Sequence, residues 1–423
     1  MPVTDIKRSV EAVWRIESAR IIAAVARMLG DIGLAEEFAQ EALVSALEHW
    51  PADGVPDNPG AWLTTTAKRR AVDHLRRDQL LERKHDELGH ELPIENAHMK
   101  GPDHAHVHDD DIGDDLLRLV FAACHPLLPA DAQVALTLRL LGGLSTEEIA
   151  RAFLLPEPTI AQRIVRAKRT LSNARVPFEV PRQAELGERL AAVLGVIYLI
   201  FNEGYSATQG DDWMRPALCE EALRLGRVLV GLVPRESQAH ALVALMELQA
   251  SRAASRVGPD GAPILLLEQN RARWDRLLIR RGLRALERAT QLGGADGVYA
   301  LQAAIAACHA QAATAEATPW PRIAALYARL ATVAPSPVVE LNRAVAVAMA
   351  FGPAAGLALA DALREEPLLQ HYHLLPAVRA DLLQRLGRVD EARGEFERAA
   401  QLTRNARERA VLLARAATTN APM

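Results

Sequence analysis

At 423 residues the chain is too long for one compact core, so two or three domains are expected. Hydrophobic residues make up 50% and aromatics only 4%, with Ala, Leu and Arg dominant, which favours helix over sheet and predicts an all-α protein; the scattered Cys124, Cys219 and Cys308 exclude a disulfide framework or a cysteine-built zinc site. A formal charge of −4 excludes a protein that coats nucleic acid unaided, so any DNA binding must use local basic faces.

Residues near 8 to 77 carry a helical pattern, interrupted at PADGVPDNPG, a Pro/Gly/Asp stretch that reads as a turn or loop. Before it, DIGLAEEFAQEALVSALEHW starts with Asp31 as N-cap and sets Ala35, Phe38, Ala39, Ala42 and Ala46 on one stripe. Glu36, Glu37, Gln40 and Glu41 are expected to face away from that stripe, as an acidic face suited to a basic protein partner. After the loop, Asn58 caps a helix with Pro59 at its first position. There Leu63, Ala67, Val72 and Leu75 bury, while Trp62, Thr65, Thr66, Arg69, Asp73 and Arg76 share the other side, flanked by Lys68, Arg70 and Arg77. An aromatic among Thr and Arg suits a strand with unstacked bases.

From about 78 to 112 the sequence is polar and rich in His, and reads as a flexible linker. HAHVHDDD, at 104 to 111, offers imidazoles and carboxylates, but a tether does not preorganise ligands, so no metal or other cofactor is expected. Helical pattern resumes near Asp114. Within it, GLSTEEIARAFLLPEPTIAQRIVRAKRTL has a capping box from Ser145 to Glu148, a buried stripe of Ile149, Ala150 and Phe153, and a turn at Leu155-Pro156-Glu157. Pro158 opens the next helix, which places Ile160, Ile164, Ala167 and Leu171 on one face and Thr159, Gln162, Arg163, Arg166 and Arg169 on the other. That is a helix-turn-helix: Thr159, Gln162 and Arg163 would reach base edges, and Arg166, Lys168 and Arg169 would hold phosphates.

VPFEVP, at 176 to 181, marks a boundary beyond which everything reads as helical. Phe351-Gly352 and Leu386-Gly387 occupy corresponding turns, about one TPR period of roughly 34 residues apart. FNEGYSATQGDDW, with Glu203, Tyr205, Ser206 and Asp211, reads as a hydrogen-bonded turn, and Glu268, Arg271 and Asp275 as ion pairs at helical spacing. No catalytic constellation stands out, so no enzyme is expected. No apolar run reaches the roughly 18 residues a membrane span needs, and Asp5, Lys7, Arg8 and Glu11 leave no apolar signal core, so a cytoplasmic protein with no membrane partner is expected.

GDIGLAEEFAQEAL resembles sigma region 2.2, NPGAWLTTTAKRRAVDHLRR resembles regions 2.3 and 2.4, and LPADAQVALTLRLLGGLSTEEIARAFLLPEPTIAQRIVRAKRTL resembles region 4 of the extracytoplasmic-function (ECF) sigma factors of RNA polymerase. IYLIFNEGYSAT, LLLEQNRARWD and SPVVELNRAVAVA are similar to the TPR-like extension of the group 42 type. The resemblance implies a region 2 domain at 1–80, a linker at 81–112, a region 4 domain at 113–176 and a TPR-like domain at 182–423.

It implies core RNA polymerase and promoter DNA as partners. Asp31, Glu36, Glu37, Gln40 and Glu41 would dock on the β′ clamp helices, and the apolar face around Leu136 and Leu140 would support or meet the β-flap. Asn58, Trp62, Thr65, Thr66, Lys68, Arg69, Arg70, Asp73, Arg76 and Arg77 would hold the minus-ten element. Pro158, Thr159, Gln162, Arg163, Arg166, Lys168 and Arg169 would read the minus-thirty-five element. Pro158, Ala161 and Gln162 depart from the Gly, Lys and Ser common in the family, which leaves the upstream DNA sequence open. The extension would modulate activity, by itself or through a regulatory protein. Two other readings stay open: a stand-alone helix-turn-helix regulator and a TPR interaction scaffold.

Overall fold

The computed structural model describes residues 3–89, 109–153, 155–206, 213–258 and 263–418. These residues form helices joined by short turns, with a single isolated bridge between Val257 and Pro263 as the one extended pairing among them. The chain divides into two compact units, Met1–Val196 and Ile197–Met423, and the division falls inside one helix. The His/Asp stretch at 104–108 and Asp211 lie outside the described residues.

In the first unit α1 (Val3–Leu29), α2 (Ile32–Asp53) and α3 (Pro59–Gly89) pack together, and α4 (Asp109–Ala123) lies against α1. α5 (Ala130–Leu140), α6 (Thr146–Phe153) and α7 (Glu157–Asn173) form a second cluster, with α7 also reaching α2. Local chemistry sets the ends of these helices. The Leu34 amide donates to Asp31 Oδ1 at 3.0 Å, and the Ala61 amide to Asn58 Oδ1 at 3.0 Å, satisfying N–H groups the helix cannot. The Ser145 amide donates to Glu148 Oε2 at 2.8 Å while the Glu148 amide donates to Ser145 Oγ at 3.1 Å, a complete capping box.

The helix boundaries differ from the sequence expectation at two places. α2 runs through Pro51 to Asp53 and ends where Gly54 adopts φ +85° and its amide donates to Trp50 O at 3.0 Å. A proline in the last turn removes a single helical hydrogen bond, so the loop starts at Gly54. α3 continues past the polar residues after Arg77 to Gly89, and α4 already begins at Asp109; in α3 the run from Gln79 to Leu88 is rich in Leu, Glu, Arg and Lys, good helix formers, with no Pro or Gly before Gly89.

α8 (Gln183–Tyr205) enters the second unit, which continues with α9 (Pro216–Leu232), α10 (Ser237–Ala250), α11 (Arg276–Gln291), α12 (Val298–Gln311) and α13 (Trp320–Val333). α14 (Pro337–Phe351), α15 (Pro353–Ala362), α16 (Leu374–Arg385), α17 (Val389–Leu402) and α18 (Ala406–Thr418) follow, each packed on its sequence neighbour. Gly352 and Gly387, at φ +104° and +75°, make the turns after Phe351 and Leu386. Alanines let these helices approach closely: Leu341, Ala344 and Ala360 share a core with Leu369 and Leu375.

Gly356 sits where α15 crosses α14, and a Cβ there would lie 2.4 Å from Ala348 Cβ and 2.6 Å from Ala344 O. Gly356→Val is expected to destabilise the protein by about 1–3 kcal/mol, as overpacking does. Gly394, in open space on α17, is expected to gain about 0.5–1 kcal/mol on replacement by Ala. Urea unfolding of both variants measures the contrast.

Candidate nucleic-acid interface

Leu63, Ala67 and Ala71 anchor α3 in the core, with Val72 and Leu75 half-buried. Trp62 is half-buried and packs edge-on against buried Trp50, ring centroids 5.5 Å apart, so it serves the core as well as the surface. Thr65, Arg69, Asp73, Arg76 and Arg77 are exposed, the first four forming one continuous face at helical spacing. Three neighbours are drawn inward. The Thr66 hydroxyl donates to Trp62 O at 2.9 Å, and Arg70 reaches Glu41 at 2.5 Å and Ser45 Oγ at 2.7 Å. Lys68 is half-buried, and burial followed by the nearby Arg27 charge holds its pKa below the usual lysine range.

On α7, Ile160, Ile164, Ala167 and Leu171 are buried, and Pro158, Thr159, Gln162, Arg166 and Arg169 are exposed. The last four of these share one face, the geometry that lets a recognition helix present side chains to a major groove. Arg163 is half-buried and pairs with Asp131 at 3.0 Å. Lys168 turns toward α2, where its ammonium meets Glu36. Leu136 and Leu140 are fully buried on α5, so they support the helix-turn-helix and are not surface residues.

The expected acidic face of α2 needs a correction. Glu36 does not face solvent: its side chain is 3% exposed, held by Arg139 Nε at 2.6 Å, by Lys168 and by the Gln40 amide at 2.5 Å. Position 36 flanks the Ala35–Ala39 stripe, and the second cluster covers it. Arg139 was invisible to sequence reasoning because its partner lies 103 positions away. Asp31 is also engaged on both oxygens, since Ser172 Oγ donates to Oδ2 at 2.8 Å. Glu41 is half-buried with Arg70, and Glu37 is exposed. A further bridge, Arg15–Glu148 at 2.7 Å, joins the two clusters of the first unit, and Arg27–Asp115 at 3.3 Å ties α4 to α1.

The chain matches the family model of sigma-70 region 2 over residues 15–80 and that of sigma-70 region 4 over residues 118–171. A probable ECF RNA polymerase sigma factor, SigI, of Mycobacterium tuberculosis is 28% identical over 173 residues, covering 40% of this chain and 57% of that protein. The ECF RNA polymerase sigma factor SigK of Mycobacterium ulcerans is 32% identical over 158 residues, 36% of this chain and 79% of that protein. This chain belongs to the ECF sigma factors. Both sigma regions of this sigma factor lie in its first unit. Residues 189–290 match a family of unknown function (DUF6596), and an uncharacterized protein of Rhizobium meliloti (strain 1021) is 43% identical over 391 residues, 92% of this chain and 90% of that protein. Among the described residues no group of three His, Cys, Asp or Glu side chains is arranged to hold a metal ion, and no helix is long and apolar enough to cross a membrane.

Glu36→Gln leaves two cations facing each other without their shared carboxylate. Breaking a buried pair costs about 3–5 kcal/mol; Arg139 and Lys168 keep 22% and 23% side-chain exposure, which lowers the expected loss to about 1–2 kcal/mol. Urea denaturation checks this, and an unchanged midpoint would refute the clamp.

Glu148 supplies a pH test. Burial works to raise its pKa, but the Ser145 amide and the Arg15 charge outweigh it, leaving the pKa below 4.5. A carboxylate with a depressed folded pKa stabilises above its unfolded value and loses that contribution as pH falls through the folded one. The stability difference between wild type and Glu148→Gln, present at pH 6, is therefore expected to shrink toward pH 3 in parallel denaturation series.

Proposed function

We propose that this sigma factor binds core RNA polymerase and directs promoter-specific initiation, reading a melted minus-ten strand with α3 and a minus-thirty-five duplex with α7. One observation carries the reading: two exposed faces, Thr65–Arg69–Asp73–Arg76 and Thr159–Gln162–Arg166–Arg169, each on a helix inside one of the two sigma regions. The first has Trp62 beside it for stacking and arginines for the backbone; the second has polar residues at the helix start and arginines after them.

Glu36, assigned to polymerase, and Lys168, assigned to DNA phosphate, neutralise each other here. On this reading both become available only when the pair separates, so the free chain binds promoter DNA weakly. The helical region from about 182 onward, read as a TPR-like extension, sets how readily the sigma regions act, alone or through a regulatory protein.

The experiment is run-off transcription with core polymerase and the full chain on genomic promoter fragments. Arg166→Glu with Arg169→Glu is expected to reduce initiation at least ~10-fold while core binding persists; each lost phosphate contact should lower the salt slope of promoter binding by about 1. Tight duplex binding without polymerase would favour the stand-alone regulator. Unchanged initiation by the double variant would favour the scaffold.

A further inference from the structure

The second unit holds three arginines that no described carboxylate reaches within ion-pair distance, although the charge of Glu316 acts on Arg271 from farther away. Arg252, half-buried at the end of α10, donates from Nη2 to the Tyr205 hydroxyl at 2.5 Å and lies 5.8 Å from the Tyr205 ring and 5.9 Å from the Trp274 ring. Arg256, 8% exposed, sits 3.6 Å over the same Tyr205 ring and donates to Tyr205 O. Arg271, 7% exposed, lies 4.9 Å from the same Trp274 ring and donates to His309 O at 2.7 Å, Ala312 O at 2.8 Å and Thr318 Oγ1 at 3.0 Å. Arg252 thus shares one ring with each of the other two.

The expected ion pairing of Arg271 with Glu268 and Asp275 does not form, because the segment is a short 3-10 turn and Asp275 caps α11 instead, accepting from the Leu277 and Leu278 amides. Among the described residues none of the three guanidinium groups has a carboxylate within ion-pair distance. Buried arginines elsewhere in the unit do have one: Arg215 pairs with Glu203, and Arg379 with Asp361 and Glu395. An uncompensated buried charge is strongly unfavourable, since desolvation is not repaid by a partner.

Polar atoms in the cluster repeat the deficit. Among the described residues Arg271 Nε, Trp274 Nε1 and His309 Nδ1 are buried without a hydrogen-bond partner, and Trp274 is 2% exposed. The first two can only donate, so what is lacking is an acceptor. Burial, then the charges of Arg252 and Arg271, push the His309 pKa down to about 4, so a positive field acts on the imidazole. Arg252 is half-buried and so keeps part of its surface in contact with solvent.

We propose that Arg252, Arg256 and Arg271, with Trp274 and His309, form a binding site for the carboxylate or phosphate group of a small organic anion. A planar guanidinium matches either oxyanion with parallel N–H donors, and a dry aromatic surround strengthens the contact. Arg252 is the gripping residue, because it has N–H groups without acceptors among the described residues, while Arg271 is largely committed to carbonyls. The proposal is independent of promoter recognition, and its test reads binding alone.

The full chain is titrated with inorganic phosphate and, separately, with citrate, in chloride buffer at constant ionic strength, following tryptophan fluorescence and heat. Saturable binding of one or both is expected, phosphate alone marking a phosphoryl ligand and citrate alone a carboxylate ligand. Arg252→Gln should weaken it at least ~10-fold. An NMR titration of wild type should show the His309 pKa rising from about 4 when the anion binds. No saturable binding of either anion to wild type, or equal binding to a folded Arg252→Gln chain, overturns the site and leaves the cluster a packing feature.

Discussion

Glu36 between Arg139 and Lys168 is the contact on which the arrangement of the first unit rests. A carboxylate removed from water is tolerated only when opposite charges and donors replace its hydration. α2 supplies the carboxylate, α5 the guanidinium from its last turn and α7 the ammonium from its middle, so three helices are fixed relative to one another by one charged cluster. Gln40 from α2 adds a donor to the same oxygen that Arg139 uses. The hydrophobic stripes hold each helix to its own cluster, but they are broad and non-directional. The direction with which α7 meets α2 comes from the charges.

The clamp leaves the two exposed faces unequal. α3 keeps its face almost whole, losing Arg70 to Glu41 and Ser45. α7 loses two of its cations, Arg163 to Asp131 and Lys168 to Glu36, while its outward row from Thr159 to Arg169 stays open. An arginine with a carboxylate at 3 Å is no free phosphate ligand, because the new contact must exceed the one it replaces. Sequence composition shows many basic residues near α7; the structure shows which of them its own acids already occupy.

Features decided within one helical turn were legible in the residues. Asp31, Asn58 and the Ser145–Glu148 box cap as their spacing predicts, and Gly352 and Gly387 turn the chain as expected, because each depends on groups three or four positions away. The outward face of α7 was legible for the same reason, its period being that of a single helix. What eluded the sequence was set by tertiary partners. Glu36 looked like surface because a helical wheel does not say that a second cluster covers it. Glu268, Arg271 and Asp275 looked like a helical ion-pair ladder, yet the helix starts only after Asp275, and Arg271 turns to the carbonyls ending α12. Trp62 carried both readings, and the structure gives it both environments: edge-on contact with Trp50 and remaining exposed surface.

A shared ion pair also links two binding events on the proposed reading. If polymerase takes Glu36, the Lys168 ammonium loses its internal partner and becomes available to a phosphate; if DNA takes Lys168, Glu36 loses one of its two cations and becomes easier to withdraw. Binding free energies coupled through one contact are reciprocal, so each partner must favour the other by the same factor. Arg139 limits that factor, because its own contact with Glu36, at 2.6 Å, does not involve Lys168. A coupling through Lys168 alone is therefore modest, and a full release of α2 requires Arg139 to yield as well.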